Sequence, residues 1–316
     1  MTRAFVFPGQ GSQSIGMGKE LFDAFETARD VFQEVDDALE QNLSKMIFNG
    51  EDSDLNMTEN TQPALMTVSI ATARVLQKDG GFDFLNDANT KFVAGHSLGE
   101  YSALTAAGAF NLSDTARLLK IRGQAMQKAV PAGIGAMAAI LGLDMDDVTV
   151  IAKEASENDN ICSSANDNST GQVVVSGHKA AVERAIELAS AKGAKRAIML
   201  PVSAPFHCAL MQPAADVMAE ALADVTIQKP VVPLVANVIA SSVTDPDEIR
   251  NFLVEQVTGM VRWRESVLYM KENSVEELIE MGAGKVLTGL TRRIDRELKG
   301  SAIGTPEDIE NFVNNL

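Results

Sequence analysis

The sequence predicts an α/β fold in which a core built on a parallel β-sheet is interrupted by a smaller inserted domain. Short apolar runs at 4–7 and 92–94 each lead through a glycine-containing turn into a helical pattern, as parallel βα units do. Residues 134–199 follow a different order, β-α-β-β-α-β. After residue 200 the first pattern returns, so the small domain is an insertion and not an appendage.

The composition excludes several classes of protein. The chain has 316 residues, of which 46% are hydrophobic and 22% charged, as is ordinary for a globular protein with a full core. A net charge of −16 argues against nucleic acid or an anionic membrane as the main partner. No apolar run reaches about 18 residues, and Pro8 and Gly9 interrupt the first one, so we expect neither a membrane span nor a signal peptide. Cys162 and Cys208 form no disulfide framework, which predicts a cytoplasmic protein.

The most informative stretch is the pentapeptide Gly-His-Ser-Leu-Gly at 95–99, between an apolar strand and a helix rich in Ala and Leu. In a G-x-S-x-G sequence the serine occupies a sharp strand-to-helix turn, which needs small neighbours and exposes the hydroxyl. The helix that begins there offers free N–H groups and a positive dipole end to a developing oxyanion. The pattern predicts that Ser97 is a nucleophile on an α/β-hydrolase-like core. The alternative is a purely structural turn.

Apolar periodicity predicts the helices around this turn. Apolar residues between 21 and 39 recur at steps of four and three, which gives one buried helix face. A second helix is predicted to open at 61–63 with Pro63 in its first turn, and a third to run from Ser113 to about Ala129. Further strands are predicted at 231–237 and 276–281.

Arg122 lies on the apolar stripe of the third predicted helix. A guanidinium buried without a partner is costly. One interpretation is an internal salt bridge or a side chain that reaches solvent. The other is that its planar fork binds a substrate carboxylate.

The small domain is predicted to be ferredoxin-like and to span 131–199, which leaves 1–130 and 200–316 for the large catalytic domain. Its predicted strands and helices alternate around a polar turn at 167–171: strands 135–143, 160–166, 172–176 and 195–200, and helices 144–156 and 179–192.

His207 is the candidate base. It follows two prolines in a loop, and it stands 207 − 97 = 110 residues after Ser97, which suits a base contributed by a later loop. A lone histidine is more often structural. Between Ser97 and His207 no Asp or Glu lies in a loop that clearly suits the third member of a triad.

Together these stretches resemble the malonyl-CoA:acyl-carrier-protein transacylases of type II fatty acid synthesis. The matching motifs occur in the family's order over nearly the whole chain, which is far more specific than the pentapeptide alone. They are Phe-Val-Phe-Pro-Gly-Gln-Gly-Ser-Gln at 5–13, Thr-Gln-Pro-Ala at 61–64, the motif at 95–100, Arg-Gly-Gln-Ala-Met-Gln at 122–127, Ala-Asn at 165–166 with Gly-Gln-Val-Val at 171–174, and Pro-Phe-His at 205–207.

The resemblance implies a role for each matching residue. Ser97 would carry the malonyl ester, and His207 would be its base, oriented by the backbone carbonyl of Gln256 rather than by a carboxylate. Arg122 would bind the malonyl carboxylate. The oxyanion hole would be formed by the backbone N–H groups of Gln10 and Leu98, and the implied pocket-lining residues are Gln62, Asn166, Met126 and Phe206.

The resemblance also implies the partners. These are malonyl-CoA as substrate and an acidic acyl carrier protein as acceptor, with no cofactor or metal, and the chain is expected to be a monomer. Because the chain is itself acidic, a local basic patch is required, at either 192–196 or 292–293. Three alternatives remain open: a serine esterase, the transacylase subunit of a malonate decarboxylase, and a non-enzymatic carrier-binding module.

Overall fold

The computed structural model describes residues 1–131, 133–202 and 204–316. Its strands are β1 Arg3–Phe7, β2 Thr90–Gly95, β3 Gly135–Leu141, β4 Cys162–Ser169, β5 Gln172–His178, β6 Arg196–Met199, β7 Leu234–Ala236, β8 Ser241–Val243, β9 Glu277–Met281 and β10 Lys299–Ile303.

The α-helices surround these strands, and a 3₁₀ turn at Ala209–Met211 precedes α10. The helices are α1 Lys19–Ala24, α2 Glu26–Leu39, α3 Leu43–Asn49, α4 Asp52–Leu55, α5 Thr58–Lys78, α6 Gly99–Ala106, α7 Leu112–Lys128, α8 Met145–Ala155, α9 Lys179–Ala191, α10 Gln212–Ala223, α11 Pro246–Thr258, α12 Trp263–Glu272, α13 Val286–Ile294 and α14 Pro306–Asn314.

The larger sheet has six strands in the order β10-β9-β1-β2-β7-β8, and all its pairings are parallel except that of β7 with the edge strand β8. Both of its faces are covered, as β1 illustrates. Phe5 and Phe7 point into one apolar cluster, whereas Ala4 and Val6 point into another. Because side chains alternate along a strand, burial on both faces makes the strand read as one continuous apolar run. The predicted α/β fold with a mainly parallel sheet is confirmed.

The smaller sheet is antiparallel, in the order β4-β5-β3-β6, and two helices, α8 and α9, cover one of its faces. The predicted β-α-β-β-α-β order is confirmed. All its strands and helices lie between Gly135 and Met199, in keeping with the predicted insertion, whose limits at 131 and 199 stay a prediction.

Several predicted boundaries were wrong. The helix face predicted over 21–39 belongs to two helices, α1 and α2, which are separated at Phe25, and the strand predicted at 231–237 is limited to Leu234–Ala236. Strand β4 continues to Ser169, so the turn predicted at 167–171 shrinks to 170–171. Its polar residues hid the strand, because they carry no apolar alternation. Helix α5 begins at Thr58 instead of 61–63, so Pro63 lies inside the helix. The backbone N–H groups of Asn60 and Thr61 donate to the carbonyl of Met57, which adds a turn before the proline.

A short bridge joins the small sheet to the core. Val261 N–H donates to Ala165 O, and Asp167 N–H donates to Val261 O, each at 2.9 Å. The buried carboxylate of Asp167 also pairs with Arg264 at 2.8 Å. These contacts fix β4 against the carboxyl ends of the core strands.

No helix in the described part of the chain is long and apolar enough to cross a membrane.

Candidate active site

The pentapeptide at 95–99 forms the predicted strand–turn–helix, since β2 ends at Gly95 and α6 begins at Gly99. Ser97 has φ = 54°, in the left-handed region that few non-glycine residues adopt. Both glycines are required by close contacts. A Cβ at Gly95 would lie 1.9 Å from the carbonyl of Gly99, and one at Gly99 would lie 2.2 Å from the carbonyl of Phe7.

The loop after β6 brings His207 to the serine. Its Nε2 lies 2.8 Å from Ser97 Oγ, and its Nδ1 lies 2.8 Å from the backbone carbonyl of Gln256 and 3.1 Å from that of Gly259. Carbonyl oxygens only accept, so Nδ1 carries the hydrogen and Nε2 carries a lone pair. That lone pair faces the serine hydroxyl. His207 also has a left-handed backbone, with φ = 58°.

Burial keeps His207 neutral. Burial, reinforced by the nearby positive charge of Arg122, lowers the pKa of His207 to about 3. The imidazole is therefore in its basic, uncharged form over the whole neutral range. An uncharged imidazole with its lone pair aimed at a hydroxyl is the form that a general base requires.

The contacts of Arg122 are neither those of an internal salt bridge nor those of a side chain that reaches solvent. It is 1% exposed, so it does not reach solvent, and no carboxylate pairs with it among the described residues. Nη1 donates to Gln62 Oε1 and Nη2 donates to Gln256 Oε1, both at 2.8 Å. Nη2 also lies 3.2 Å from Ser97 Oγ. The guanidinium is thus oriented by neutral amide oxygens and keeps its charge directed at the serine.

The Arg122 contact also sets the direction of the serine hydroxyl. A guanidinium has no lone pair, so Ser97 Oγ must accept from Nη2. The hydrogen of Oγ is then free to point at Nε2 of His207, at 2.8 Å. The three predicted residues Ser97, His207 and Arg122 therefore lie together.

A cavity of about 170 Å³ opens onto Ser97. The residues implied as oxyanion donors or pocket lining also line it, namely Gln10, Gln62, Leu98, Met126, Asn166 and Phe206. Within the described residues, no hydrogen bond uses the backbone N–H of Gln10 or Leu98. Both groups remain available as oxyanion donors, and that role stays a prediction.

Gln256 makes contacts beyond those that the sequence predicts, which are limited to its backbone carbonyl. Its side chain donates from Nε2 to the carbonyl of Ser97 at 3.0 Å and accepts from Arg122 through Oε1. One buried residue thus touches the nucleophile, the histidine and the arginine. The signal for its side chain was weak, because it lies at the end of helix α11 among ordinary helical residues.

Two asparagines at the site were missed by sequence reasoning. Asn168 lines the cavity, and its Oδ1 lies 2.8 Å from Nε2 of His96; it was hidden by the predicted turn at 167–171. Asn237 bonds to both sides of the serine turn. Its only signal was its position directly after a core strand, where ligands meet parallel sheets.

The fold and site define a class of enzyme. A strained serine at the carboxyl end of a core strand, with a neutral histidine at 2.8 Å, suits acyl transfer through a serine ester. A family model for the acyl transferase domain matches residues 4–300.

Individual relatives cover almost the full chain. The malonyl CoA-acyl carrier protein transacylase of Escherichia coli (strain K12) is 49% identical over 303 residues, 96% of each protein. The crystal structure of an acyl-carrier-protein-S-malonyltransferase from Bartonella henselae is 56% identical, with a TM-score of 0.96, and covers 100% of this chain and 99% of that one. A malonyl-transacylase in complex with a type II PKS acyl-carrier protein is 43% identical, with a TM-score of 0.95 and full coverage of both chains. The chain belongs to the acyl transferase family and, within it, to the malonyl-CoA–acyl carrier protein transacylases.

Proposed function

We propose that this enzyme transfers a malonyl group from malonyl-CoA to the phosphopantetheine thiol of an acyl carrier protein, through a malonyl ester on Ser97, and so supplies extender units for fatty acid synthesis. The observation that carries the proposal is the buried Arg122, whose hydrogen-bond partners among the described residues are all neutral oxygens and which lies 3.2 Å from the serine hydroxyl. A substrate carboxylate would complete its coordination.

The first step loads the serine. His207 Nε2 takes the proton of Ser97 Oγ as Oγ attacks the thioester carbonyl. The developing oxyanion is held by the backbone N–H groups of Gln10 and Leu98. The tetrahedral intermediate collapses, the C–S bond breaks, and the CoA sulfur leaves as a thiol with the proton that His207 held.

The second step reverses the roles. The carrier's thiol gives its proton to His207 and attacks the ester carbonyl of the malonyl-serine. When the C–O bond breaks, Ser97 Oγ takes the proton back. Because His207 is held by backbone carbonyls and has no carboxylate partner among the described residues, the same neutral imidazole serves both half-reactions.

The experiment that tests the proposal is intact-protein mass spectrometry after mixing with malonyl-CoA without a carrier. Wild type should acquire one malonyl group and release CoA, and holo-carrier protein should then discharge it. Ser97→Ala is the control and should remain unmodified. CoA release without an adduct would support the esterase alternative, and neither adduct nor release would support the non-enzymatic module. An adduct that transfers only to a carrier other than that of fatty acid synthesis would support the decarboxylase subunit.

The pKa of His207 leads to a test of pH dependence. A base whose pKa is lowered to about 3 stays uncharged as the pH falls, whereas an imidazole of ordinary pKa would be about nine-tenths protonated at pH 5.5. We therefore expect kcat/KM for acylation by malonyl-CoA to change less than threefold between about pH 7.5 and 5.5, instead of falling about tenfold.

A control for that profile comes from Glu100. Its carboxyl group is fully buried, and burial raises its pKa to about 7, so it titrates in the same range. The profile is therefore measured in Glu100→Gln as well. A tenfold fall in both proteins would contradict the assignment to a low-pKa His207, since only the histidine would remain to explain it.

The residues of the two candidate basic patches for carrier docking lie at different places relative to the cavity. Lys192 pairs with Glu154 at 3.8 Å and follows α9, on the face of the small sheet away from the cavity. Arg196 lies on the other face. In the sheet Arg196 lies opposite Leu141, and Leu141 lies opposite Gln172, so the three side chains share one face. Val174, two residues after Gln172, is on the same face and lines the cavity.

Helix α13, which belongs to the core, packs next to this face of the small sheet. Arg293 Nη1 donates to Gln172 Oε1 at 2.7 Å, and α13 packs against β4, which carries Asn166 and Asn168. Arg292 and Arg293 are exposed, and within the described residues neither forms an ion pair. We infer that Arg196, Arg292 and Arg293 form the surface that attracts the acidic carrier.

Charge reversal tests this surface. Arg196→Glu and Arg293→Glu should each raise KM for the holo-carrier roughly tenfold, and added salt should reduce the difference. Acylation by malonyl-CoA should be unchanged. Lys192→Glu is the matched control from the opposite face of the small sheet. An equal rise in KM for Lys192→Glu would contradict the assignment.

We also propose a monomeric, cytoplasmic enzyme. Ser97, His207 and Arg122 all come from one chain, so the site needs no second copy. Both cysteines are free and buried, in keeping with a reducing compartment.

A further inference from the structure

We propose that Asn237 is a positioning residue that holds the serine turn in its reactive backbone conformation. The inference rests on the proposed role of Ser97 as nucleophile. Asn237 does not touch the substrate; it acts through the backbone on either side of His96.

The side chain of Asn237 bonds to both sides of the turn. Its Oδ1 accepts from Ser97 N–H at 2.8 Å, and its Nδ2 donates to Gly95 O at 2.7 Å. One amide thus spans two backbone groups that would otherwise be free at the end of strand β2. This pair of bonds replaces the ladder contact that a neighbouring strand would have supplied, and it fixes the orientation of the peptide that leads into Ser97.

The position of Asn237 follows from the strand register. Strand β7 is parallel to β2, with Leu234 opposite Val93 and Val235 opposite Ala94. Two residues further along, Asn237 comes level with the serine turn. Only a short side chain with a donor and an acceptor in one plane can make both contacts from there.

Asn237 is itself held firmly. It is fully buried, its N–H donates to Glu100 Oε2 at 2.8 Å, and its carbonyl accepts from Arg262 N–H at 3.1 Å. Glu100 belongs to helix α6, which begins directly after the turn. The hydrogen bonds therefore link the end of β2, Asn237 and helix α6 in a ring that encloses the serine turn.

This ring of hydrogen bonds affects the position of the nucleophile because Ser97 has a strained backbone, with φ = 54°. If the peptide before Ser97 could rotate, Oγ would move relative to His207 Nε2. The next peptide would move with it, and that peptide carries the N–H of Leu98. A displacement of about 1 Å at a reacting atom can cost about a hundredfold in rate.

The test uses diisopropyl fluorophosphate, which reacts at Ser97 and has no carboxylate for Arg122 to bind. Ser97 Oγ attacks phosphorus, fluoride leaves, and the proton passes to His207. Asn237→Ala, which removes both bonds, should be labelled at least tenfold more slowly than wild type. Asn237→Asp keeps an acceptor for Ser97 N–H but sets an oxygen against Gly95 O, so it should be equally slow. For malonyl transfer, kcat should fall about ten- to a hundredfold with KM for malonyl-CoA within twofold.

Val235→Ala is the matched control. Val235 is a fully buried residue on the same strand, and its apolar side chain cannot hydrogen-bond to the turn, so shortening it lowers stability without loosening Ser97. All variants are compared below their unfolding temperatures. Labelling of Asn237→Ala at the wild-type rate, or an equal loss in Val235→Ala, would overturn the inference alone. Wild type that resists labelling would overturn both the inference and the proposed nucleophile.

Discussion

Replacing His207 with alanine is expected to lower kcat for malonyl transfer by about 10³–10⁴-fold. In the proposed mechanism the imidazole is used twice, once to take the proton of Ser97 and once to take that of the carrier's thiol. No other base lies within hydrogen-bonding distance of Ser97 Oγ among the described residues, whose only other polar contact there is Arg122. Substrate binding should survive, because His207 is not a partner of the guanidinium that is expected to bind the malonyl carboxylate.

The measurement is single-turnover formation of the malonyl-serine, followed by its discharge onto the carrier. His178→Ala is the matched control, because His178 is bonded through Nδ1 to Ile161 N–H in the small sheet, away from the cavity. Added imidazole should partly restore His207→Ala but not Ser97→Ala. Transfer by His207→Ala within tenfold of wild type would exclude the histidine as the base.

Much of the site could be predicted from sequence because its chemistry is local in the chain. The serine turn is a five-residue pattern that requires its glycines, because a Cβ at Gly95 would lie 1.9 Å from the carbonyl of Gly99. Arg122 could be predicted for a different reason. On its helix a charged side chain stands where the pattern predicts a buried apolar one, and departures of this kind are expected at functional sites.

The contacts that the sequence did not reveal depend on how distant segments meet. Asn237 comes level with the serine turn only through the register of β7 on β2. Asn168 faces His96 only because β4 extends beyond the predicted turn. The side chain of Gln256 bonds to Arg122 and to the carbonyl of Ser97, which lie 134 and 159 residues away in the chain. No local sequence pattern encodes contacts between such distant residues, so the structure was needed to find them.

Replacing Arg122 with alanine is expected to lower kcat/KM for malonyl-CoA by about 10²–10³-fold. Truncating one partner of a buried charge pair typically costs about 2–5 kcal/mol, and 1.4 kcal/mol corresponds to about tenfold. Acetyl-CoA, which has no free carboxylate, should lose much less, because it forms no ion pair with the guanidinium and the variant removes only the contact of Nη2 with Ser97 Oγ. The preference for malonyl over acetyl should therefore collapse.

Two comparisons separate the charge of Arg122 from its packing. Arg117→Ala removes an exposed arginine from the same helix and should leave both substrates unaffected. Gln62→Glu keeps Arg122 but places a carboxylate where a neutral oxygen now lies 2.8 Å from Nη1. That carboxylate would compete with the malonyl group, so KM for malonyl-CoA should rise at least tenfold while acetyl transfer is spared. If Gln62→Glu bound malonyl-CoA as well as wild type, an internal carboxylate would be compatible with substrate binding. The neutral partners of Arg122 would then have no bearing on its selectivity.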